Sequence, residues 1–484
     1  MKNKMLLFAL NASFAHQALG VSTLSAYVNS HLNDEICSVL ECNINERDDE
    51  IFYKLYENSK DKKIAGFSCY IWNIEKMLKF AGNLKKLLPD IYIIFGGPEV
   101  SYYDKEEFYA LYPFVDLLIQ GEGEEPLLEL IERPPFERGA GGIAELYKTA
   151  ENYHTIYYES SRGCPFNCSY CISGINNIKV EAKSVDLVLD ELKIIEEKYY
   201  NCENSKIDII KFCDRTFNFD IKRSNELYKN LIKRANDYKI YNKKLLPYQF
   251  EIYPNLFDEE SFEILKNAPE DLFHMEIGMQ SLNQRTLEAI GRKNSDINQA
   301  LENIARIKSL KNIPVHVDLI AGLPYEDLRS FIRGFNLLYE KTKADFIQIG
   351  FLKLLRGTKI REEAKIHGYI YEESAPYTML ENKYMRFADI AFLRDIEKMY
   401  KRYSSNAYTK SFNYIYNTYF SENVFEMFKL LALYWRNNNL FDKPVAQKDA
   451  FKAFYDVFGN SETFLIDLLE EDFYEHDGKK LKLK

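Results

Sequence analysis

Ser161-Arg162-Gly163-Cys164-Pro165-Phe166-Asn167-Cys168-Ser169-Tyr170-Cys171 is the stretch on which the reading of this chain turns. Its three cysteines, spaced C-x3-C-x2-C, follow directly on TIYYES (155–160), a run with the composition of a strand. Thiolates this close can ligate three corners of a cubane cluster, whereas a cluster held by protein alone would want a fourth. No fourth cysteine lies nearby, so one iron would stay open to the amino and carboxylate groups of a small molecule. Two other readings are a zinc site short of a ligand and three unrelated thiols. Zinc would ordinarily show paired C-x2-C halves or added histidines, and neither is evident.

Working outward, strand-like runs recur with helical patterns between them: IDIIKF (207–212), LPYQFEI (246–252), LFHMEIGM (272–279), PVHVDLIAG (314–322) and FIQIGF (346–351). With TIYYES they make six strand–helix units, which predict a partial (β/α)6 barrel over 151–355 rather than a complete eight-unit barrel. Residues 1–135 alternate in the same way, through MLLFAL, CSVLEC, KIAGFSCYI, IYIIF and VDLLIQ. That pattern predicts an α/β domain, a doubly wound parallel sheet of Rossmann-like type. Glycines fall just beyond two of its strands, at Gly96-Gly97-Pro98-Glu99 and Gly121-Glu122-Gly123-Glu124, where such sheets bind ligands. Neither turn matches G-x-G-x-x-G, so NAD or FAD is not supported. RPPFERGAGG (133–142) reads as a connector. Residues 361–484 show helical spacing and many aromatics, and predict a mostly α-helical C-terminal domain.

The 484 residues suggest roughly two to four domains, and 46% hydrophobic with 28% charged residues is a globular composition. A net charge of −10 argues against nucleic acid as the main partner. Eight cysteines in so long a chain are no disulfide scaffold; Cys37, Cys42, Cys69, Cys202 and Cys213 are scattered and read as buried or incidental thiols. The apolar run at residues 5–9 is too short for a signal-peptide core and reads as a buried first strand. No stretch approaches the ~18 apolar residues of a membrane span. A cytoplasmic protein without a membrane partner is expected.

SRGCPFNCSYC, with Tyr170 just before the third cysteine, resembles the cluster loop of the radical S-adenosylmethionine enzymes. The resemblance implies that Cys164, Cys168 and Cys171 ligate a 4Fe-4S cluster whose open iron binds S-adenosylmethionine. One electron from the cluster would then cleave the sulfonium and start radical chemistry. FCDRTFN (212–218) resembles the family's D-x-x-F-N turn and makes Asp214 and Asn218 candidates. EIGMQSLNQRTLEAIGR (276–292) resembles the fourth strand and its helix, which implies cofactor contacts from Glu276, Gln280, Ser281 and Arg292. HVDLIAGLPYE (316–326) resembles the fifth strand, where Gly322 would let backbone approach the adenine.

The segments IAGFSCYIWNIEKML, PDIYIIFGGPEV and VDLLIQGEGEEPLLELI resemble the cobalamin-binding domain found in front of many such barrels. This implies a corrinoid at the strand ends, between sheet and barrel, with Gly96, Gly97, Pro98, Glu99, Gly121, Glu122 and Gly123 as its contacts. The early loop Asn11-Ala12-Ser13-Phe14-Ala15-His16-Gln17-Ala18-Leu19-Gly20 lacks the D-x-H-x-x-G of proteins that supply a lower axial histidine, so His16 reads as a loop histidine or a corrin contact. The subclass implies C-methyl transfer to a small-molecule or peptide substrate. Cyclisation or rearrangement without methyl transfer is the alternative within the same architecture. A flavodoxin or ferredoxin would supply the electron. A methylthiotransferase would carry three cluster cysteines in its first domain and a small C-terminal β-barrel, which Cys37, Cys42, Cys69 and the helical tail do not resemble. A non-catalytic cobalamin sensor is opposed by the intact cysteine triplet. No catalytic side chain emerges at this level.

Overall fold

The computed structural model describes residues 4–13, 17–32, 35–131, 154–173, 179–200, 206–240, 246–293, 295–459, 463–478 and 480. His16, Cys202 and the expected connector 133–142 lie outside the described residues. Met5–Asn11 (β1), Cys37–Asn43 (β2), Ile64–Ser68 (β3), Tyr92–Gly96 (β4) and Leu117–Leu118 (β5) form one parallel sheet in the order β2-β1-β3-β4-β5. The first six residues of β1 are all buried, as a central parallel strand covered on both faces requires. Leu6, Phe8 and Leu10 enter one core with Phe67 and Phe80, while Met5, Leu7 and Ala9 enter another with Val21 and Val28. The sheet is therefore doubly wound. Strand order reverses between β1 and β3, and ligands of such sheets lie beyond the strand ends at that reversal.

The second sheet contains Thr155–Tyr158 (β6), and after it the chain makes a short antiparallel pair, Ser161–Arg162 (β7) with Glu181–Ala182 (β8). Ile209–Phe212 (β9), Tyr248–Ile252 (β10), Phe273–Gln280 (β11), Val315–Ala321 (β12) and Phe346–Phe351 (β13) complete it. Order is sequential, β6-β9-β10-β11-β12-β13, and every pairing is parallel. Five strands added in turn to one side of β6, each through a helical crossover, give the expected partial barrel. Burial alternates strictly along β11 and β12. Phe273, Met275, Ile277 and Met279 are buried against the helices, which leaves Glu276, Gly278 and Gln280 for the lumen. Register sets Lys211 beside Gln249, Glu251 beside Glu276, Glu276 beside His316, and Gly278 beside Asp318. A closed barrel fills its interior with branched apolar layers; this one lines it with ionisable groups. That interior is built as a site.

Beyond the barrel, Ile370–Tyr371 (β14) pairs with Met379–Glu381 (β15), a hairpin too short to register in the sequence pattern. Helices Phe387–Tyr403, Thr409–Tyr419, Val424–Asn437, Gln447–Phe458 and Thr463–Asp477 follow, in line with the helical reading. They share one continuous hydrophobic core with the barrel. Phe335, on the barrel helix Leu328–Thr342, meets Tyr400 and Phe425 edge-on at 5.5 and 5.8 Å. The Tyr400 hydroxyl accepts the Ile347 N–H at 2.9 Å. No described helix is long and apolar enough to cross a membrane.

Candidate functional site

The cysteine loop starts where β6 ends, and its base is closed by the β7–β8 pair. Three further devices fix it. Ser169 N–H donates to the Ile290 carbonyl at 2.9 Å, and the Ser169 carbonyl accepts Ile360 N–H at 2.9 Å. Phe166 stacks on Tyr253 with centroids 4.2 Å apart. Gly291 (φ +83°) lets the loop approach closely, since a Cβ there would stand 2.6 Å from the Asn167 carbonyl oxygen. Held this way, Cys164, Cys168 and Cys171 line one cavity of about 210 Å³ at the barrel mouth, together with Tyr170, Glu276, Gln280 and Arg292. Among the described residues no three His, Cys, Asp or Glu side chains gather tightly enough to hold a single metal ion. Three thiols on one cavity match the three protein ligands of a cubane with one open corner.

Arg292 is 6% exposed, its guanidinium lies over the Tyr253 ring at 4.5 Å, and its Nε has no hydrogen-bond partner. A buried cation with an orphaned N–H facing a cavity is suited to a carboxylate. Burial alone would raise the Glu276 carboxyl, but the Lys211 ammonium (2.8 Å) and the Gln249 amide (2.8 Å) hold it below the usual range. Glu251 and Asp318 line the same cavity, and the sequence reading passed over both. Burial raises the Glu251 carboxyl, partly offset by Arg215. Burial, with Glu276 and Glu251 close by, pushes Asp318 up to about 7. A carboxyl raised in the fold binds a proton that the unfolded chain has lost, so it destabilises the fold as pH rises from about 4 to above 7. Asp318→Asn removes that penalty. Its expected gain is absent near pH 4 and at most about 4 kcal/mol at pH 8, read by urea unfolding at the two pH values.

A second cavity, about 690 Å³, opens beyond β1, β3 and β4 at the strand-order reversal. Leu10, Asn11, Phe67, Ser68 and Gly96 form its floor, and Gly97, Pro98, Gly121, Glu122 and Gly123 its rim. A Cβ placed on Gly121 (φ +88°) would meet nothing within 4 Å, so any side chain there would project into open space. The opposite wall comes from the barrel: Tyr157, Glu159, Arg162 and Cys213. Cys213, read in the sequence as an incidental thiol, thus stands at a cavity wall, whereas Cys37, Cys42 and Cys69 are buried in the first sheet. Arg162 spans the two halves, pairing with Glu122 at 2.8 Å, Glu124 at 3.3 Å and Glu159 at 2.8 Å. Cys213 faces this cavity and Arg215 the cysteine cavity, so a single strand end separates the two.

Several expected contacts sit in neither cavity. Asp214 is fully buried and accepts from Ser160 and Ser161, through both backbone N–H groups and both hydroxyls. It anchors the entry to the cysteine loop. Asp214→Ala strands those four donors and is expected to cost about 3–5 kcal/mol, seen as a lowered urea midpoint. Asn218 brackets the 253–256 turn, donating to the Tyr253 and Leu256 carbonyls and accepting Tyr253 N–H. Ser281 donates to Glu326 at 2.6 Å. The Gly322 carbonyl accepts from Tyr369 and Asn382, both at 2.9 Å, with Met379 packed on its Cα. Glu99 is 5% exposed and accepts from the Tyr377 hydroxyl, while Arg356 donates to that hydroxyl at 3.0 Å and lies 3.9 Å over Tyr103. It joins the first sheet to the region after the barrel.

Residues 6–131 match the B12 binding domain, 158–338 the radical SAM superfamily, and 365–483 the protein family of unknown function DUF4080. The chain is 27% identical to a 2-(S-pantetheinyl)-carbapenam-3-carboxylate methyltransferase of Streptantibioticus cattleyicolor, over 64% of this chain and 49% of that protein. It is 24% identical to the cobalamin-dependent radical SAM methyltransferase TokK of Streptomyces tokunonensis, over 63% of this chain and 49% of that protein. The match thus spans about half the length of these two curated relatives. Among solved structures, the cobalamin-dependent S-adenosylmethionine radical enzyme OxsB, with aqua-cobalamin and S-adenosylmethionine bound, superposes with a TM-score of 0.60. Identity to it is 14%, with 99% of this chain and 79% of that one covered. TsrM from Kitasatospora setae, a radical S-adenosylmethionine methyltransferase, gives 0.57 at 15% identity, covering 77% and 79%. The two matched domains bring a 4Fe-4S cluster, S-adenosylmethionine and cobalamin as cofactors. With the B12 binding match facing the mouth of a partial barrel that carries a three-cysteine loop and matches the radical SAM superfamily, this chain pairs the two domains of the cobalamin-dependent radical S-adenosylmethionine proteins it resembles.

Proposed function

We propose that this enzyme is a C-methyltransferase acting on a small-molecule or peptide substrate. The observation that carries the reading is the shared wall: the cavity at the first sheet and the cysteine cavity lie back to back, separated by the end of β9. In this reading Cys164, Cys168 and Cys171 hold the cluster, and the cavity rimmed by Gly97 and Gly121 holds the corrinoid. Bound there, the cofactors would supply hydrogen abstraction and a methyl group to the same carbon of a substrate held at the end of β9.

The chain's own residues set the conditions. In this reading Arg292 pairs with the carboxylate of S-adenosylmethionine; it lies over Tyr253, which stacks on Phe166 of the loop. Glu276, held anionic by Lys211, and Gln280 offer polar contacts across the same cavity. Asp318 titrates near neutrality, so it can donate a hydrogen bond or take a proton from a bound group. Arg162 braces the first sheet against the barrel, and the Glu99–Tyr377 contact braces it against the region after the barrel. A flavodoxin or ferredoxin serves as electron donor, and the cytoplasm is the expected location.

Anaerobic turnover of the reconstituted, reduced enzyme with candidate substrates tests the reading. Methyl transfer yields S-adenosylhomocysteine together with 5′-deoxyadenosine and a product heavier by one methylene. 5′-Deoxyadenosine with a product of unchanged carbon count would replace methyl transfer by cyclisation or rearrangement.

A further inference from the structure

A third cavity, about 760 Å³, lies in the C-terminal helical region, away from both cofactor cavities. Helix Phe387–Tyr403 supplies Lys398, Lys401 and Arg402; the 440–445 segment supplies Lys443; helix Thr463–Asp477 supplies His476. No carboxylate is among its lining residues, although the whole chain carries a net charge of −10. Lys401 is paired with Glu397. Among the described residues Lys398, Arg402 and Lys443 form no ion pair within 4 Å.

Lys398 and Arg402 stand four residues apart on one helix face, where like charges repel. The helix dipole favours cations in that last turn, but it does not account for Lys443 or His476, which come from other elements. The cations are also held in place. The Arg402 guanidinium lies 5.0 Å over Trp435 and the Lys398 ammonium 5.3 Å over Phe441, a contact that orders a side chain without neutralising it. Gln447 opens helix Gln447–Phe458 at the same cavity, and the N-cap, Ala446, offers no side-chain acceptor to that first turn, where Asp449 N–H turns back to the Ala446 carbonyl at 3.0 Å. Cations from two elements, an imidazole from a third and an uncapped helix start converge beside Trp435, Phe441 and Val445. An anion next to an aromatic or apolar group satisfies all of these at once.

We infer that this cavity binds a small phosphorylated ligand of the nucleotide kind, its phosphates on Lys398, Arg402 and Lys443 and its planar part on the Trp435–Phe441 side. The site is separate from the proposed methyl-transfer centre and does not depend on that reading. Calorimetry tests it on the full chain loaded with cluster and cobalamin, under saturating S-adenosylhomocysteine so that the barrel site is filled. ADP, inorganic pyrophosphate and adenosine are the probes. ADP is expected to bind saturably, at one per chain, and adenosine at least about tenfold more weakly. Lys398→Gln combined with Lys443→Gln changes two exposed side chains and should weaken ADP about tenfold or more, with circular dichroism and cluster absorbance unchanged. Absence of saturable ADP binding into the millimolar range would overturn the inference. So would unchanged ADP affinity in the double variant, or binding of a single-stranded RNA oligonucleotide in place of ADP.

Discussion

Replacing any one of Cys164, Cys168 or Cys171 by alanine is expected to abolish the visible charge-transfer absorbance of the reconstituted cluster and to reduce S-adenosylmethionine cleavage to background. Two remaining thiolates cannot hold three corners of a cubane. The loop itself should keep its shape, because Ser169, Phe166 and Gly291 dock it without help from the thiols. Loss of cluster with an unchanged thermal transition separates the ligand role from a folding role. Cys213→Ser is the internal control: it lies at the wall of the other cavity and should retain the cluster. Iron and sulfide analysis, absorbance and 5′-deoxyadenosine assays on the four variants check this directly.

Gly121→Leu is expected to weaken corrinoid retention at least ~100-fold, about 2.7 kcal/mol, with cluster content unchanged. At φ +88° the new side chain would enter space that no atom of the protein occupies within 4 Å. The backbone strain of an L-residue in that region is about 1–2 kcal/mol and falls on an exposed loop, so the sheet should survive it. Corrinoid absorbance remaining after desalting provides the readout. Full retention in this variant would move the corrinoid out of the cavity at the strand-order reversal.

The architecture was legible because its signals are local. Three cysteines within eight residues announce a cluster loop, and alternating strand and helix patterns announce parallel sheets. Inside the site, legibility followed the kind of information needed. Tyr170, Glu276, Gln280 and Arg292, for which the motifs imply cofactor contacts, line the cysteine cavity. Asp214 and Asp318 show where sequence runs out. Both are aspartates at barrel strands, yet Asp214 is consumed by four hydrogen bonds to Ser160 and Ser161, whereas Asp318 faces the lumen. Telling them apart requires strand register, since a slip of one residue exchanges the two faces. Period-two alternation counted from Glu276 could have marked Glu251 and Asp318 as lumen residues. Nothing local could have paired Glu99 with Tyr377, 278 residues apart, so a residue expected at the corrinoid is instead a brace between regions.

The central claim is that three cysteines leave one cluster iron open to S-adenosylmethionine at the barrel mouth. Electron–nuclear double resonance on the dithionite-reduced, reconstituted protein tests it most directly, using S-adenosylmethionine labelled with 15N at the methionyl amine and 17O at its carboxylate. The account predicts hyperfine coupling of both labels to the cluster spin, lost in Cys168→Ala with the cluster itself. A fully formed, reduced cluster showing neither coupling at saturating S-adenosylmethionine would contradict it.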